Sequence, residues 1–321
     1  MLPERFREPD GFQWGGFTDA GGAHIRYGSL QPEAPLRGTV VIASGFRECI
    51  EKYFEAMRDM TERGFAVWMM DWRGQGGSSR YLGNPQKMHS LGYEEHIETL
   101  RQFTRDLVKK SSGPFILLAH SMGAHIGLRF LKEHEGVFDA AVLTSPMCDV
   151  LTPGFFRPAA HALASLAKMA GCLEKYVPGG HDWDARDAAF EGNKVTSDPE
   201  RFGVMAEIFS RKPELKMGSP TYGWAWHTFR SADILRKDDY LKTVATPILA
   251  GIAGNDMIVD IKAAMRACAL LQRCMRVDVP AARHEIWMER DDLRAPWLEK
   301  VTAFLEDRVH AYRENTIHAA R

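Results

Sequence analysis

The chain has 321 residues, of which 45% are hydrophobic and 26% are charged. That length and apolar content allow one large domain with a sizeable core, or a core domain that carries a smaller insertion. The formal net charge is -1, and no basic arm or stripe occurs along the chain. We therefore expect no nucleic-acid partner, because nucleic-acid-binding surfaces carry clustered lysine and arginine.

Cysteine usage and the N-terminal residues predict a cytoplasmic location. The five cysteines are widely spaced and form no C-x-x-C pair, which is typical of free thiols in a reducing compartment. The first residues, MLPERFREPDG, lack the apolar core of a signal peptide. No apolar stretch approaches the roughly 20 residues of a membrane span. These features leave peripheral contact with the inner face of the membrane open.

Short apolar runs alternate with helical patterns from about residue 38 to residue 148. Continuous apolar strands that alternate with helices predict an α/β fold with a mostly parallel sheet covered on both faces. The predicted strands are residues 39–43, 66–71, 115–119 and 140–144, and the predicted helices between them are residues 51–63, 93–110 and 122–133.

The alternation of strands and helices stops after residue 147 and returns at residue 244. Residues 148–243 contain no convincing buried strand and hold aromatic and methionine-rich segments separated by glycine and proline. Two further strands at residues 247–253 and 276–279 precede a final helix over about 293–312. We therefore expect residues 1–147 and 244–321 to form one core, with residues 148–243 inserted as a helical cap, or lid.

The pentapeptide AHSMG places Ser121 between a predicted strand and a predicted helix. In the G-x-S-x-G nucleophile elbow, a sharp strand-to-helix turn exposes the serine hydroxyl above the sheet. Small residues are needed two positions before and after the serine, because strand and helix crowd together there. Ala119 and Gly123 meet that need. An ordinary helix-capping serine is the alternative, and the strand–turn–helix context favours a nucleophile.

A nucleophilic serine needs a base, and the base needs an acid that orients it. When a serine elbow of this type is present, the chain order is serine, acid, histidine. His284 follows the last predicted strand and Asp256 follows the strand before it, so both should reach the sheet edge where Ser121 emerges. Asp260 competes with Asp256, but it fits better as the N-cap of a following helix.

Of the 12 histidines, only His284 has both the right order and the right preceding element. His120 lies beside the serine, and the other candidates lie on predicted helices or in the predicted cap: His125, His134, His310 and His318 on helices, and His161, His181 and His227 in the cap. The sequence HEIWM begins like the H-E-x-x-H motif of a zinc protease, but Met288 stands where the second histidine would be. The glycine-rich residues 71–78 lack phosphate-loop spacing and indicate a structural loop. We predict no metal and no other cofactor.

The oxyanion of a tetrahedral intermediate needs preorganised N–H donors. One expected donor is the backbone N–H of Met122, directly after the nucleophile. The other is expected from the loop after the first predicted strand, residues 44–47, where Phe46 is the candidate. An ordinary turn in which Gly45 supplies an unusual dihedral angle is compatible with that role, because the donors belong to the backbone.

These motifs together resemble the lysophospholipase L2 and monoacylglycerol lipase group of the serine aminopeptidase S33-like α/β hydrolases. The segments that carry the resemblance are GFRECIEKYFE at 45–55, DWRGQGGSSR at 71–80, LAHSMGAHIGLRFL at 118–131, LTSPMCDV at 143–150, NKVTSDPERF at 193–202, SPTYGWAW at 219–226, GNDMIVD at 254–260 and HEIWMERDDLR at 284–294. Relatives often have His-Gly where this chain has Ser44-Gly45, and often glycine where Ala119 stands.

The resemblance implies an α/β-hydrolase fold and a lidded serine esterase that acts on lipid-like esters, most closely a lysophospholipase or monoacylglycerol lipase. It carries the catalytic roles onto Ser121, Asp256 and His284, and the oxyanion roles onto Phe46 and Met122. A short-chain carboxylesterase, a thioesterase or an acyltransferase on the same scaffold remains open, as does a non-catalytic ligand-binding relative.

The aromatic residues of the predicted cap suit an acyl chain, which binds by burial of apolar surface. Most of them should form the core of the cap, and only a few should face a pocket. The candidates for substrate contact are Phe155, Trp183, Tyr222 and Trp224. The expected partner is therefore a small-molecule or lipid ester.

Overall fold

A computed structural model describes residues 2–152 and 156–319. Its centre is an eight-stranded sheet in which the strands lie in the order β1-β2-β4-β3-β5-β6-β7-β8. The strands from β4 to the far edge at β8 pair in parallel, which confirms the predicted mostly parallel sheet. The strands are β1 Gln13–Thr18, β2 His24–Leu30, β3 Gly38–Ala43, β4 Phe65–Met70, β5 Phe115–His120, β6 Ala140–Thr144, β7 Ile248–Ala253 and β8 Cys274–Val279.

The antiparallel hairpin of β1 and β2 extends one edge of the sheet and was not predicted from the sequence. Strand β2 pairs antiparallel with β4, and β1 pairs antiparallel with β2. No residue of β1 is fully buried, so this strand lacks the continuous apolar run that marks the inner strands. An exposed edge strand therefore gives only a weak sequence signal.

The helices cover both faces of the sheet and the segment between β6 and β7. The predicted helix at 122–133 is confirmed at both ends, whereas the one at 51–63 begins as a 3-10 turn and the last one extends well beyond residue 312. The helices are α1 Phe54–Glu62, α2 Tyr93–Asp106, α3 Met122–Glu133, α4 Arg157–Met169, α5 Pro199–Arg211, α6 Tyr222–Leu235, α7 Asp238–Leu241, α8 Ile261–Leu270 and α9 Asp291–Ala319.

Alternate side chains of the inner strands enter two separate hydrophobic cores. On β3, Val41 packs in the core beneath α2, α3 and α8, whereas Val40 and Ile42 pack in the core beneath α1 and α9. All three side chains are essentially inaccessible to solvent. Because a strand with both faces covered has no polar side, its sequence is a continuous apolar run.

The inserted segment, residues 148–243, leaves the sheet after β6 and returns to it at β7, the strand beside β6. Its described part contributes four helices and no strand to the sheet. Helix α5 is fixed to the rest of the molecule through Arg201, whose side chain is 1% exposed. The guanidinium lies 2.8 Å from Glu55 of α1, 2.9 Å from Asp198 and 2.5 Å from Asp291 at the start of α9.

Within residues 2–152 and 156–319, no helix is long and apolar enough to cross a bilayer.

Helix α3 approaches strand β3 so closely that only a glycine fits between them. A β-carbon at Gly123 would overlap the backbone carbonyl groups of Ala43 and Ser44. Backbone atoms of a central strand cannot move aside as the end of a flexible side chain can. The approach therefore fixes where α3 begins and how the preceding residue, Ser121, is presented.

We expect Gly123→Ala to lower the free energy of unfolding by about 3 kcal/mol, the upper end of the range for overpacking. Urea unfolding followed by circular dichroism measures this change. The control is Gly203→Ala in α5, where an added β-carbon meets nothing within 4 Å. That variant should gain roughly 0.5–1 kcal/mol, because alanine loses less backbone entropy than glycine in a helix. Equal effects of the two substitutions would refute the packing constraint.

Candidate active site

Ser121 sits at the turn between β5 and α3 in a backbone conformation that few non-glycine residues adopt. Its φ is 50° and its ψ is -113°. The turn is held by the Ser121 N–H, which donates to the Thr144 carbonyl at 3.0 Å, and by the Ser121 carbonyl, which accepts from Met147 N–H at 3.2 Å. A strained strand-to-helix turn of this kind is the geometry of a nucleophile elbow.

Ser121, His284 and Asp256 form one chain of hydrogen bonds. The Oγ of Ser121 lies 2.8 Å from Nε2 of His284, and Nδ1 of His284 lies 2.7 Å from Oδ2 of Asp256. An ionised carboxylate can only accept, so Nδ1 carries the proton and Nε2 is left to accept from the serine hydroxyl. The structure thus brings together the three residues that the sequence singled out from three distant positions in the chain.

The Asp256 carboxylate is held in its ionised form by several donors. Burial alone would raise its pKa, but the His284 ring and the N–H groups of Ile258 and Val259 hold the pKa below its usual range. Those N–H groups lie 2.8 and 3.1 Å from Oδ1. Asp260, the alternative acid, accepts from the first N–H groups of α8 and is its N-cap.

His284 is fixed from its backbone as well as from its ring. Its carbonyl accepts a hydrogen bond of 2.6 Å from the hydroxyl of Ser145, whose φ is 43°. The ring of His120, the residue directly before Ser121, lies 4.9 Å from the His284 ring. The side chains of these two adjacent residues therefore both lie near His284. Burial lowers the pKa of His120 to about 3, so this second imidazole is neutral.

The loop after β3, residues 44–47, is held so that Phe46 N–H remains free. The N–H of Gly45 donates to Glu48, and Gln75 accepts from Arg47 N–H at 2.7 Å and donates to Gly45 carbonyl at 3.0 Å. Among the described residues, Phe46 N–H has no backbone or side-chain acceptor. The N–H of Met122 begins α3 and therefore has no acceptor within the helix.

The unusual dihedral angle in this loop belongs to Arg47, with φ of 62°, and not to Gly45 as the sequence suggested. Gly45 is required for a different reason, which is close packing. A β-carbon there would lie 2.8 Å from a carboxylate oxygen of Glu48 and 3.0 Å from the ring of His120. The glycine lets the loop lie directly on these two buried side chains.

A buried cluster of two carboxylates and one ammonium supports this loop. The Nζ of Lys52 lies 2.6 Å from Glu48 and 2.7 Å from Glu285, and Glu48 also accepts from the Tyr53 hydroxyl at 2.6 Å. Burial alone would raise the pKa of Glu48, but Lys52 and the neighbouring donors lower it to about 2. Burial raises the pKa of Glu285, which directly follows His284.

In the part of the chain that the structure describes, two groups of side chains have the spacing that a metal ion requires. In the first, formed by Glu48, His120 and Glu285, the Lys52 ammonium already lies between the two carboxylates. The second is formed by His181, Asp184 and Asp187 on the inserted segment. There Asp184 is paired with Arg186 and also caps a short 3-10 turn, and the Asp187 carboxylate accepts from the backbone N–H of Asp184. Both carboxylates therefore have structural partners.

Ser121 and His284 open into a cavity of about 300 Å³ between the sheet edge and helix α5. Trp183 lines it, as the sequence suggested, whereas Tyr222 and Trp224 are not among its lining residues. Trp224 packs instead against the outer side of Phe46, with ring centroids 4.2 Å apart, and Phe155 lies outside the described residues. The apolar wall of the cavity is formed by Phe46, Trp183, Phe202, Met205, Phe209 and Ile258.

The sequence did not single out the residues of α5 that line the cavity, because helical periodicity does not reveal which face of a helix in the inserted segment meets the core. Phe202, Met205 and Phe209 recur at positions that share one side of α5. That spacing was a signal within the sequence, but it indicates the core of the inserted segment equally well.

Comparisons with known proteins agree with this geometry. The chain is 30% identical over 281 residues to a protein named probable lysophospholipase L2 from Haemophilus influenzae, and the matched region covers 86% of each protein. It is 28% identical over 318 residues to lysophospholipase L2 from Escherichia coli, with 94% of this chain and 89% of that protein covered. The structure of a soluble variant of monoglyceride lipase from Saccharomyces cerevisiae, bound to a substrate analog, matches with a TM-score of 0.72 at 17% identity, over 92% of this chain and 94% of that one.

The structural match confirms the predicted α/β-hydrolase fold. The family model described as serine aminopeptidase, S33 matches residues 34–291, which include the elbow, the inserted segment and the residues after β8. The chain therefore belongs to the serine aminopeptidase S33 family of α/β hydrolases, and it is a hydrolase.

Proposed function

We propose that the protein hydrolyses the carboxylic ester of a lipid, with Ser121 as nucleophile, His284 as general base and Asp256 as the acid that orients the base. The observation that carries the proposal is the unbroken hydrogen-bond chain from Asp256 to Ser121 at the floor of a largely apolar cavity. The relatives named lysophospholipase L2 support a lysophospholipid as the substrate.

Acylation requires two proton transfers, to His284 and away from it, and the exchange of one carbon–oxygen bond for another. The Oγ of Ser121 attacks the ester carbonyl carbon while its proton passes to Nε2 of His284. The negative oxygen of the tetrahedral intermediate accepts from the N–H groups of Phe46 and Met122. His284 then gives the proton to the leaving alcohol, and the acyl group remains on Ser121.

Deacylation repeats these steps with water as nucleophile. His284 takes a proton from the water as its oxygen attacks the acyl carbon, and the same two N–H groups stabilise the second oxyanion. Collapse of this intermediate breaks the bond to Ser121, which regains the proton from His284. The fatty acid leaves, and the enzyme returns to its starting state.

The acyl chain is assigned to the wall formed by Phe46 and the residues of α5. Each buried methylene contributes roughly 0.8 kcal/mol, so several aromatic and methionine contacts favour a long chain over a short one. A series of esters of increasing acyl length tests this assignment, because a short-chain esterase would prefer the shortest members. Added acceptor alcohols would reveal acyl transfer as a competing reaction.

We also propose that residues 148–243 act as a cap and that α4 contacts a membrane surface. Large apolar side chains at the start and end of α4 are exposed, with Phe156 at 73%, Leu166 at 60% and Met169 at 84%. Lys168, which is exposed and whose Nζ lies 3.7 Å from the centre of the Trp226 ring, would meet anionic headgroups. A lipid hydrolase gains from such contact because its substrate partitions into bilayers.

Ser121→Ala should reduce kcat by roughly 10⁴-fold or more, because the group that attacks the ester is lost. A fluorophosphonate should label the parent protein at Ser121, as mapped by mass spectrometry, and should not label the variant. Ser165→Ala is the control, since the Ser165 hydroxyl donates to the His161 carbonyl within its own helix α4. Retained esterase activity in Ser121→Ala would end the proposal.

Asp256→Asn should lower kcat by about 10⁴-fold, the scale known for the matching change in serine proteases, because the amide favours the wrong tautomer of the histidine. Asp260→Asn is the matched control, since asparagine caps helices as well as aspartate does. Steady-state kinetics on one ester compares the two variants. Losses of similar size in both would mean that Asp256 acts only as a structural residue.

Replacement of Leu166 and Met169 by glutamate should weaken binding to vesicles of phosphatidylglycerol and phosphatidylcholine by about tenfold, because apolar burial is lost and anionic repulsion is added. Cosedimentation measures the bound fraction. A double variant, Leu36→Glu with Met275→Glu, at side chains that are 41% and 58% exposed, controls for the two added charges. Equal binding of the α4 variant and the control would contradict a role of α4 in docking.

A further inference from the structure

Three cationic side chains line the cavity, and two of them are fully committed to carboxylates. Lys52 lies 2.6 Å from Glu48 and 2.7 Å from Glu285, and its side chain is 5% exposed. Arg201 forms a two-pronged pair with Glu55 at 2.8 and 2.9 Å and is 1% exposed. Neither cation can turn to a ligand without leaving buried carboxylates unpaired, which is strongly unfavourable.

Arg47 differs from the other two cations in both exposure and pairing. Its side chain is 31% exposed, and its one carboxylate partner, Asp187, lies 3.5 Å away. Nε and one terminal nitrogen donate to the carbonyl of Met217 at 3.1 and 2.9 Å. The other terminal nitrogen, NH1, has no partner within the part of the chain that the structure describes.

Arg47 and Asp187 present a positive and a negative group side by side on the cavity wall. Asp187 is 20% exposed, and its Oδ2 accepts from Asp184 N–H at 3.0 Å, so the carboxylate is held in place while Oδ1 faces Arg47. Ion pairs that are partly exposed contribute little to stability. Replacing this pair by contacts with a ligand therefore costs little free energy, unlike breaking the buried pairs of Lys52.

The position of Arg47 in the chain connects this pair to the reacting ester. Arg47 directly follows Phe46, whose free N–H is assigned to the oxyanion. A lysophospholipid carries its phosphate one glycerol unit away from the ester. Because Arg47 lines the same cavity as Ser121 and α5, its side chain is available to the phosphate while the acyl chain lies along α5.

We propose that Arg47 and Asp187 form a headgroup subsite for zwitterionic lysophospholipids, in which Arg47 binds the phosphate and Asp187 binds the amine. This inference rests on the proposed lipid-ester hydrolysis and deepens it. The planar guanidinium offers parallel donors that match a phosphate, and the carboxylate matches an ammonium group. When the headgroup binds, its phosphate takes the place of Asp187 beside Arg47, and its ammonium group takes the place of Arg47 beside Asp187.

The cap cations that the sequence offers for a phosphate do not compete for this role. Arg157 is paired with the buried Asp149 at 2.6 Å and with Asp233 at 2.7 Å. Arg186 is 76% exposed, lies 2.6 Å from Asp184 and does not line the cavity. The phosphate is therefore assigned to the core loop and not to the surface of the inserted segment.

The test compares lysophosphatidylethanolamine, lysophosphatidylglycerol and monoacylglycerol that carry the same acyl chain. In Arg47→Met, the ratio of kcat/KM for either lysophospholipid to that for monoacylglycerol should fall about tenfold or more, as expected for loss of a charge-assisted contact. Asp187→Asn should lower the ethanolamine-to-glycerol ratio of the two lysophospholipids about fivefold. Arg186→Met is the control and should leave all ratios unchanged.

Equilibrium binding separates this inference from the proposed function. Ser121→Ala protein, titrated calorimetrically with lysophosphatidylethanolamine below its micellar concentration, should lose about tenfold in affinity when Arg47→Met is added. Loss of activity toward every ester in the parent protein would defeat the proposed function and leave this binding result decisive. Equal losses on all substrates, or unchanged affinity, would show that Arg47 only links the loop to Met217 and would overturn the subsite.

Discussion

The close approach of α3 to β3 at Gly123 is the constraint on which the rest of the site depends. A β-carbon at Gly123 would overlap the backbone of Ala43 and Ser44, and at the turn that begins α3 Ser121 takes a positive φ. Met122, whose N–H is the first of α3, follows Ser121 directly. Strain at such a position persists only when the surroundings enforce it, and here the enforcing atoms are the backbone of a fully buried strand.

The loop that completes the site is built on buried charge. Glu48 and Gln75 fix the two peptides on either side of Phe46, and Lys52 keeps Glu48 ionised in a place where burial would otherwise favour its neutral form. Charges taken out of water rarely add to stability. In the proposed mechanism their contribution is preorganisation, because donors that are already oriented need no rearrangement when an oxyanion forms.

The sheet and the elbow could be predicted because their signals are local. Inner strands are continuous apolar runs, and the elbow needs small residues at fixed distances from Ser121. The hairpin of β1 and β2 could not, since the exposed edge strand β1 has no such run and polar residues and a glycine interrupt the apolar residues of β2. Arg47 was missed for a different reason: its environment is set by Met217 and Asp187, which lie 170 and 140 residues away and meet it only in the folded chain.

The parts of the cavity lining differ in how firmly they are held, and this difference would orient the proposed substrate. The apolar wall on α5 is anchored by the buried Arg201 pairs, whereas Arg47 is partly exposed. In the proposed function, the acyl chain lies along the firmly held wall and the polar headgroup meets Arg47. Because Arg47 follows Phe46 on one loop, a headgroup bound there would act on the segment that carries the proposed oxyanion donor. Binding energy from a remote part of the substrate can then align the reacting carbonyl.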